Sequence, residues 1–416
     1  GGSALPCCPS SSPDEAALYT SGRASNEAAF LWQLFARELG TNNLPDCSNM
    51  CHESSGVGLA RVLGITKGSV SLEDFEHADA IFVIGQNPGT NHPRMLTTLR
   101  EAKLRGCALV VFNPIEEVAL VRFRHPQEAT DLLGPGVAMA DHYFKVRIGG
   151  DVAALAGVMK TLLDRDAKDP GSAIDHAFVA RHCDGYEELA AHLASLEWSE
   201  LERGSGLTRA EMERAADVAQ DSKRLIVCWA MGITQHKHAV ANVEQIVNLV
   251  LLRGAVGRPG AGPCPVRGHS NVQGDRTMGV WERVPPWIEA LERETGIEAP
   301  RHDGLDVVGT LEGMIAGRVR VLLCLGGNLL SAGPDTERAK EGFRRARLTV
   351  VIATKLNRSM VVPGETALIL PCLGRTERDV QESGPQVVTV EDSMSAVHAS
   401  EGRLPPASEL LRSEVA

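Results

Sequence analysis

The chain has 416 residues, enough for two or three domains, and its make-up of 43% hydrophobic and 23% charged residues is ordinary for a globular protein. No apolar run approaches roughly eighteen residues, so no transmembrane helix is expected. The formal net charge of −11 argues against a broad nucleic-acid surface, while leaving room for local basic pockets that hold an anionic cofactor.

The start of the chain is rich in Gly, Ser and Pro and lacks the basic region and apolar core of a signal peptide. Residues 1–12 are expected to be a disordered or atypical segment. The ten cysteines are scattered, and Cys107, Cys228 and Cys324 lie in apolar runs. That pattern reads as buried reduced thiols in a cytoplasmic protein rather than a disulfide framework.

In chain order, Ala16–Thr20 reads as a strand, and Ser25 caps a helix that Gly40 stops. Ala80–Ile84 is a second strand ending at Gly85-Gln86-Asn87-Pro88-Gly89. A helix follows over about Pro93–Leu104, then a strand Cys107–Phe112 ending at Asn113-Pro114. This is a βαβ unit. The pattern returns in the strand Leu225–Trp229, Met231-Gly232 and a helix through Val240–Leu252. It returns again in the strand Arg320–Leu325, Gly326-Gly327-Asn328 and a helix near Thr336–Arg345. Thr349–Ala353 and Ala367–Leu370 are further strands. Near-continuous apolar strands alternating with helices predict parallel α/β sheets covered on both faces. Ligands of such sheets bind beyond the carboxyl ends of the strands, where this chain places Gly, Asn, Gln, Thr and Lys. Two stretches break the rhythm. Gly257–Gly279 reads as an active-site loop and domain crossover, and in the tail after Leu373 only Pro385–Val390 looks strand-like.

Three constellations could carry chemistry. The first is Gly40-Thr41-Asn42-Asn43 followed by Cys47, Cys51 and His52. A structural zinc site lacks a second cysteine pair, the spacing to His52 is one residue too long for a c-type haem, and Cys-x-x-Cys is absent. Spacing alone leaves buried cysteine as an equal alternative. The second is Pro265-Val266-Arg267-Gly268-His269-Ser270-Asn271-Val272-Gln273-Gly274-Asp275. Arg267 offers a planar fork for a carboxylate or phosphate, and a surface loop with a salt bridge is the alternative. The third is the set of polar strand ends. No Gly-x-Gly-x-x-Gly follows a strand and no Walker lysine is present, which argues against a nicotinamide dehydrogenase. His236 and His238 have the spacing of a metal pair, but their place at a helix start favours a surface reading.

Taken together, these motifs resemble the molybdopterin oxidoreductase family from about Pro13 to the C-terminus. The resemblance rests on Gly-Thr-Asn-Asn before Cys51-His52, on Gly85-Gln86-Asn87-Pro88, and on Pro265-Val266-Arg267-Gly268 leading to Asn271-Val272-Gln273-Gly274. The chain looks most like the formate dehydrogenase alpha-subunit branch, whose members include oxidoreductases of unsettled substrate, some linked to acid resistance.

The resemblance implies two interleaved Rossmann-like parallel-sheet domains of the formate dehydrogenase and dimethylsulfoxide reductase type. Residues 13–46 with 270–370 would form one and residues 47–269 the other. Residues 371–416 would be a tail leading to C-terminal domains outside the chain, which would make the chain a central fragment, inactive by itself. It also implies molybdenum or tungsten held by two molybdopterin guanine dinucleotides, with Cys51 as metal ligand and His52 handling protons. Arg267 would steady a substrate oxyanion or carboxylate, beside His269 where formate dehydrogenases often have Gln. The implied cofactor contacts are Gly85, Gln86, Asn87, Asn91, His92, Asn113, Gly150, Asp151, Met231, Gly232, Gln235, Gly326, Gly327, Asn328, Thr354, Lys355 and Asn357. An iron–sulfur (4Fe–4S) cluster in a preceding segment, a small-molecule substrate and an electron-transfer partner complete the expectation. The same fold also serves as a structural or electron-transfer subunit without molybdenum, an alternative that the joint presence of Cys51, His52 and Arg267 argues against.

Overall fold

The computed structural model describes residues 12–415. The atypical segment expected at residues 1–12 therefore lies outside the described residues, apart from Ser12. In chain order the strands of two parallel sheets are β1 (Ala16–Thr20), β2 (Ala80–Ile84), β3 (Ala108–Phe112), β4 (His142–Phe144), β5 (Leu225–Trp229), β6 (Gly262–Pro265), β7 (Val321–Leu325), β8 (Leu348–Ala353) and β9 (Thr366–Pro371). The chain divides into two compact units. One takes the chain up to Met50, His269–Asp392 and the residues from Ala396 on; the other takes Cys51–Gly268 and Ser393–Ser395.

These boundaries depart from the expected ones. Residues 47–50 and His269 belong to the first unit, and residues 371–416 are not a separate tail. Leu373 N donates to Arg412 O, and Gln273 Nε2 donates to Glu391 Oε1 at 2.9 Å, so that segment is tied into the first unit. An antiparallel pair, Val388–Glu391 with Val397–Ser400, completes it.

The first unit carries the sheet β1-β7-β8-β9, all strands parallel. The two-residue period of β1 sends Ala17 and Tyr19 into a core with Leu322, Cys324, Met314 and Phe343. It sends Ala16 and Leu18 into another with Ala28 and Trp32. The helix Asn26–Leu39 forms as its sequence predicts. Ser25 Oγ accepts from Ala28 N, and Gly40 ends the helix at φ 98°.

The second unit carries the sheet β4-β3-β2-β5-β6, again all parallel. Phe82, Ile84, Val110, Phe112, Val227 and Trp229 face one core; Ile81, Val83, Leu109, Val111, Ile226 and Cys228 face the other. Both faces are thus dry, which is why these strands read as unbroken apolar runs. The chain builds outward from β2 through β3 to β4, then returns to add β5 on the other side of β2. The gap between the ends of β2 and β5 is therefore the switch point where such sheets bind ligands.

Gly257–Gly279 is not the plain loop expected. It contains β6 and the short helix Val272–Thr277. Pro263 and Pro265 are tolerated in β6 because it is an edge strand. No helix among the described residues is long and apolar enough to cross a membrane.

Candidate functional site

In the second unit the backbone closes tightly at the switch point. Gly85 follows β2 at φ 59°, and its carbonyl accepts from Gly232 N at 2.9 Å. A Cβ on Gly85 would lie 2.7 Å from the Gly232 carbonyl carbon, and one on Gly232 would lie 2.6 Å from Gly85 Cα. Only glycine fits at either position. Asn113, at the end of β3, binds both sides of the Gln86 backbone. Its Oδ1 accepts from Gln86 N at 3.1 Å, and its Nδ2 donates to Gln86 O at 2.8 Å. The Gln86 side chain is thereby aimed at His92 and Met95, with Nε2 at 3.5 Å from His92 Nδ1 and 3.0 Å from Met95 Sδ. Its Oε1 is buried with no hydrogen-bond partner. His92 Nε2 donates to Arg267 O at 3.2 Å, which ties the turn after β2 to the segment after β6.

Cys51 and His52 enter the helix Glu53–Leu63, with His52 at its N-cap and Cys51 half-buried just before it. That helix is anchored on the helix Ala239–Leu252 through Gly58, where a Cβ would lie 2.8 Å from Val243 Cβ. Ser55, three residues after His52, faces the same way. Its Oγ lies 2.8 Å from His52 Nδ1 and accepts from Trp229 Nε1 at 2.9 Å. Indole nitrogen only donates, so the Ser55 hydroxyl accepts from Trp229 and keeps its own hydrogen available for Nδ1. When the hydroxyl donates to Nδ1, the ring hydrogen of His52 is on Nε2, a buried atom without a hydrogen bond of ordinary geometry. Burial, with the Arg267 charge, holds the imidazole pKa down at about 3, against a Val266 backbone interaction that raises it. His52 is therefore neutral in the folded protein. Arg267 is half-buried; Ser393 Oγ accepts from its N at 3.0 Å. His52, His92, Gln86, Asn113 and Arg267 thus form one cluster.

A second group adjoins the Gly85–Gly232 contact. His236 Nε2 lies 2.5 Å from Gly232 O. Its charge partly offsets the burial that pushes the Asp151 carboxyl up to about 6. Asp151 opens the helix Asp151–Asp166 behind Gly150, whose Cβ position would be 2.6 Å from Gly204 O. Met231 and Gln235 flank Gly232 in the same turn. Asn87 caps the turn Pro88–Asn91 through Thr90 N and donates to Glu117 Oε2 at 2.5 Å. Asn91 is exposed at the end of that turn and makes no side-chain bond to this group. His238 occupies the N-cap position of the helix Ala239–Leu252 and is exposed.

In the first unit, β7 ends at Gly326 and Gly327, with φ 69° and 74°. Asn357 Nδ2 donates to Gly327 O at 2.8 Å, and Ser359 Oγ donates to Asn328 Oδ1 at 3.2 Å. The turns after β7 and β8 are thereby joined, with Thr354 and Lys355 exposed between them. His269 also belongs to the first unit. Its Nδ1 is 3.3 Å from Cys47 Sγ, which also accepts from Gly22 N at 3.1 Å. The sequence reading missed Ser55, Trp229, Ser359 and the Cys47 contact. Ser55 alone left a signal, at helical spacing from His52.

The model of the family described as molybdopterin oxidoreductase matches residues 7–362. An uncharacterized oxidoreductase of Mycobacterium tuberculosis is 52% identical over 405 residues, covering 97% of this chain and 52% of that protein. Protein YdeP of Escherichia coli is 48% identical, covering 98% of this chain and 54% of its own length. The F420-dependent formate dehydrogenase 1 subunit alpha of Methanococcus maripaludis is 28% identical over 88% of this chain and 52% of its own. The acetylene hydratase structure from Pelobacter acetylenicus shares the α/β fold, with a TM-score of 0.71 at 17% identity over 97% of this chain and 55% of its own. The chain spans about half the length of the curated relatives it matches.

Proposed function

The chain belongs to the molybdopterin oxidoreductase family, and from that premise we propose that it forms the cofactor-holding part of a formate-dehydrogenase-like enzyme using molybdenum or tungsten. The residues present suit that cofactor. At the switch point the paired glycines let the turns after β2 and β5 meet backbone to backbone, which brings main-chain polar groups to the end of the sheet where such folds bind a large polar ligand. Next to it, Gln86 Oε1 is a buried acceptor without a partner, and His52 Nε2 is buried without a hydrogen bond of ordinary geometry. Cys51 supplies the soft thiolate that a sulfur-rich metal centre takes.

In this reading Gly85, Gln86, Asn87, His92, Asn113, Gly150, Asp151, Met231, Gly232 and Gln235 hold one molybdopterin guanine dinucleotide, with Asn91 at the margin. Gly326, Gly327, Asn328, Thr354, Lys355 and Asn357 hold the second. When bound, the metal centre exchanges two electrons with a small substrate. The chain's own residues bind and orient that substrate. Arg267 steadies an oxyanion or carboxylate. His52, a neutral imidazole, offers a hydrogen bond to the substrate and can accept a proton from it. In the first unit His269, in contact with Cys47 at Nδ1, is a further imidazole for handling protons. A 4Fe–4S cluster in a segment outside this chain, an electron-transfer partner and a cytoplasmic location belong to the same proposal.

The observation that carries the reading is the Trp229–Ser55–His52 chain beside Cys51 and Arg267, which orients a buried, neutral imidazole. In the full-length protein, Cys51→Ala is expected to abolish turnover of formate or a small oxyanion with a viologen dye. Folding is expected to change little, because Cys51 is only half-buried. Wild-type turnover in Cys51→Ala would remove Cys51 from the site.

A further inference from the structure

Arg37 lies on the helix Asn26–Leu39 of the first unit and is 0% exposed. Burial alone lowers its pKa to about 10, so the guanidinium is still charged at neutral pH. No carboxylate contributes to that shift. Only one of its three nitrogens has acceptors: Nη1 donates to Gln33 Oε1, one turn earlier, and to Gly279 O at 3.1 Å. Both acceptors are neutral. Nε and Nη2 are buried without any partner among the described residues, and so is Nε2 of Gln33. The Trp287 ring lies 5.8 Å from the guanidinium carbon, at the outer edge of a useful cation–π contact.

A buried, unpaired charge costs several kcal/mol, on the order of a large part of a domain's stability. Proteins meet that cost with a counter-charge. A water would satisfy one donor and leave the charge unbalanced. The donors are already sealed by this chain, so an acidic side chain from elsewhere cannot reach them without rearrangement. The surroundings are also tight: a Cβ on Gly279 would lie 2.5 Å from the Trp287 ring and 3.5 Å from Gln33 Cδ. That closeness favours a single atom over a phosphate or sulfate. We propose that Arg37 Nε and Nη2, with Gln33 Nε2, form a structural site for a monatomic anion, chloride under ordinary conditions. The site is independent of the molybdopterin reading.

The full-length protein tests it directly. Thermal unfolding is measured in chloride-free gluconate buffer, with chloride then replacing gluconate at constant ionic strength. The expected result is a rise in Tm of several degrees that follows a one-site binding curve and is absent in Arg37→Gln. A buried-arginine variant can fail to fold, so the wild-type protein is also crystallised from bromide. An anomalous bromine peak within hydrogen-bond distance of Arg37 Nη2 is the expected result. No Tm response in the wild type, a response kept in Arg37→Gln, or a water or protein acceptor in place of bromide would each overturn the proposal.

Discussion

Trp229 can only donate, so the Ser55 hydroxyl accepts from it and has one hydrogen left for His52 Nδ1. Removing that hydroxyl in Ser55→Ala leaves the buried Trp229 Nε1 and His52 Nδ1 unpartnered. A loss of about 1–3 kcal/mol is expected by denaturant unfolding. Ring-nitrogen NMR should show Nε2–H in the wild type and a tautomer mixture in the variant; a wild-type Nδ1–H form would contradict the assignment. Asp151 offers a pH-dependent test. The unfolded carboxyl loses its proton near 3.8 and the folded one near 6, so between those values the folded state holds the extra proton. Stability from this group is therefore present below about pH 4 and lost as pH rises through 6, by about 3 kcal/mol. Asp151→Asn should be more stable than wild type at pH 7, with the gain fading below pH 4. An equal gain at both pH values would show that the carboxyl's charge is not the cause. Cys51, His52 and Arg267 could be singled out through the family resemblance of their motifs, since spacing alone left buried cysteine and a surface loop as open alternatives. Trp229 could not, since an indole at the end of an apolar strand looks like core until the fold brings Ser55 to it.

Among the elements, the strands were the most legible, because burial on both faces removes polar residues from β2, β3 and β5. Less visible was the helix Asp151–Asp166. It buries Ala154 through Leu162 on nearly every side, so it shows no apolar stripe to read. The Gly/Pro segment Gly262–Pro265 reads as loop because edge strands tolerate residues that central strands reject. The glycine turns after β2 and β5 were visible as composition, but not their mutual contact. That contact makes a firm prediction: Gly232→Ala should cost about 1–3 kcal/mol through overpacking against Gly85. An unchanged Tm for this variant would show that the two turns are not in van der Waals contact.

Across the whole molecule, the sequence foretold a chain that leaves one α/β unit, builds a second and returns, though not the boundaries at Met50 and Gly268. Those boundaries depend on tertiary contacts of a few residues, which local pattern does not encode. The edge strand β9 is exposed along its length and carries Leu368, Ile369 and Leu370. Such an edge invites pairing. The 416-residue chain produced alone should self-associate in light scattering, and Ile369→Lys should reduce that association; a monomer in both cases would contradict this. The central claim is that the strand-end turns and Cys51 serve a molybdenum or tungsten pterin centre. Metal analysis of the purified full-length protein, with its pterin released and identified by mass spectrometry, tests it most directly. The account predicts molybdenum or tungsten together with molybdopterin guanine dinucleotide, and an active protein that contains only zinc would contradict it.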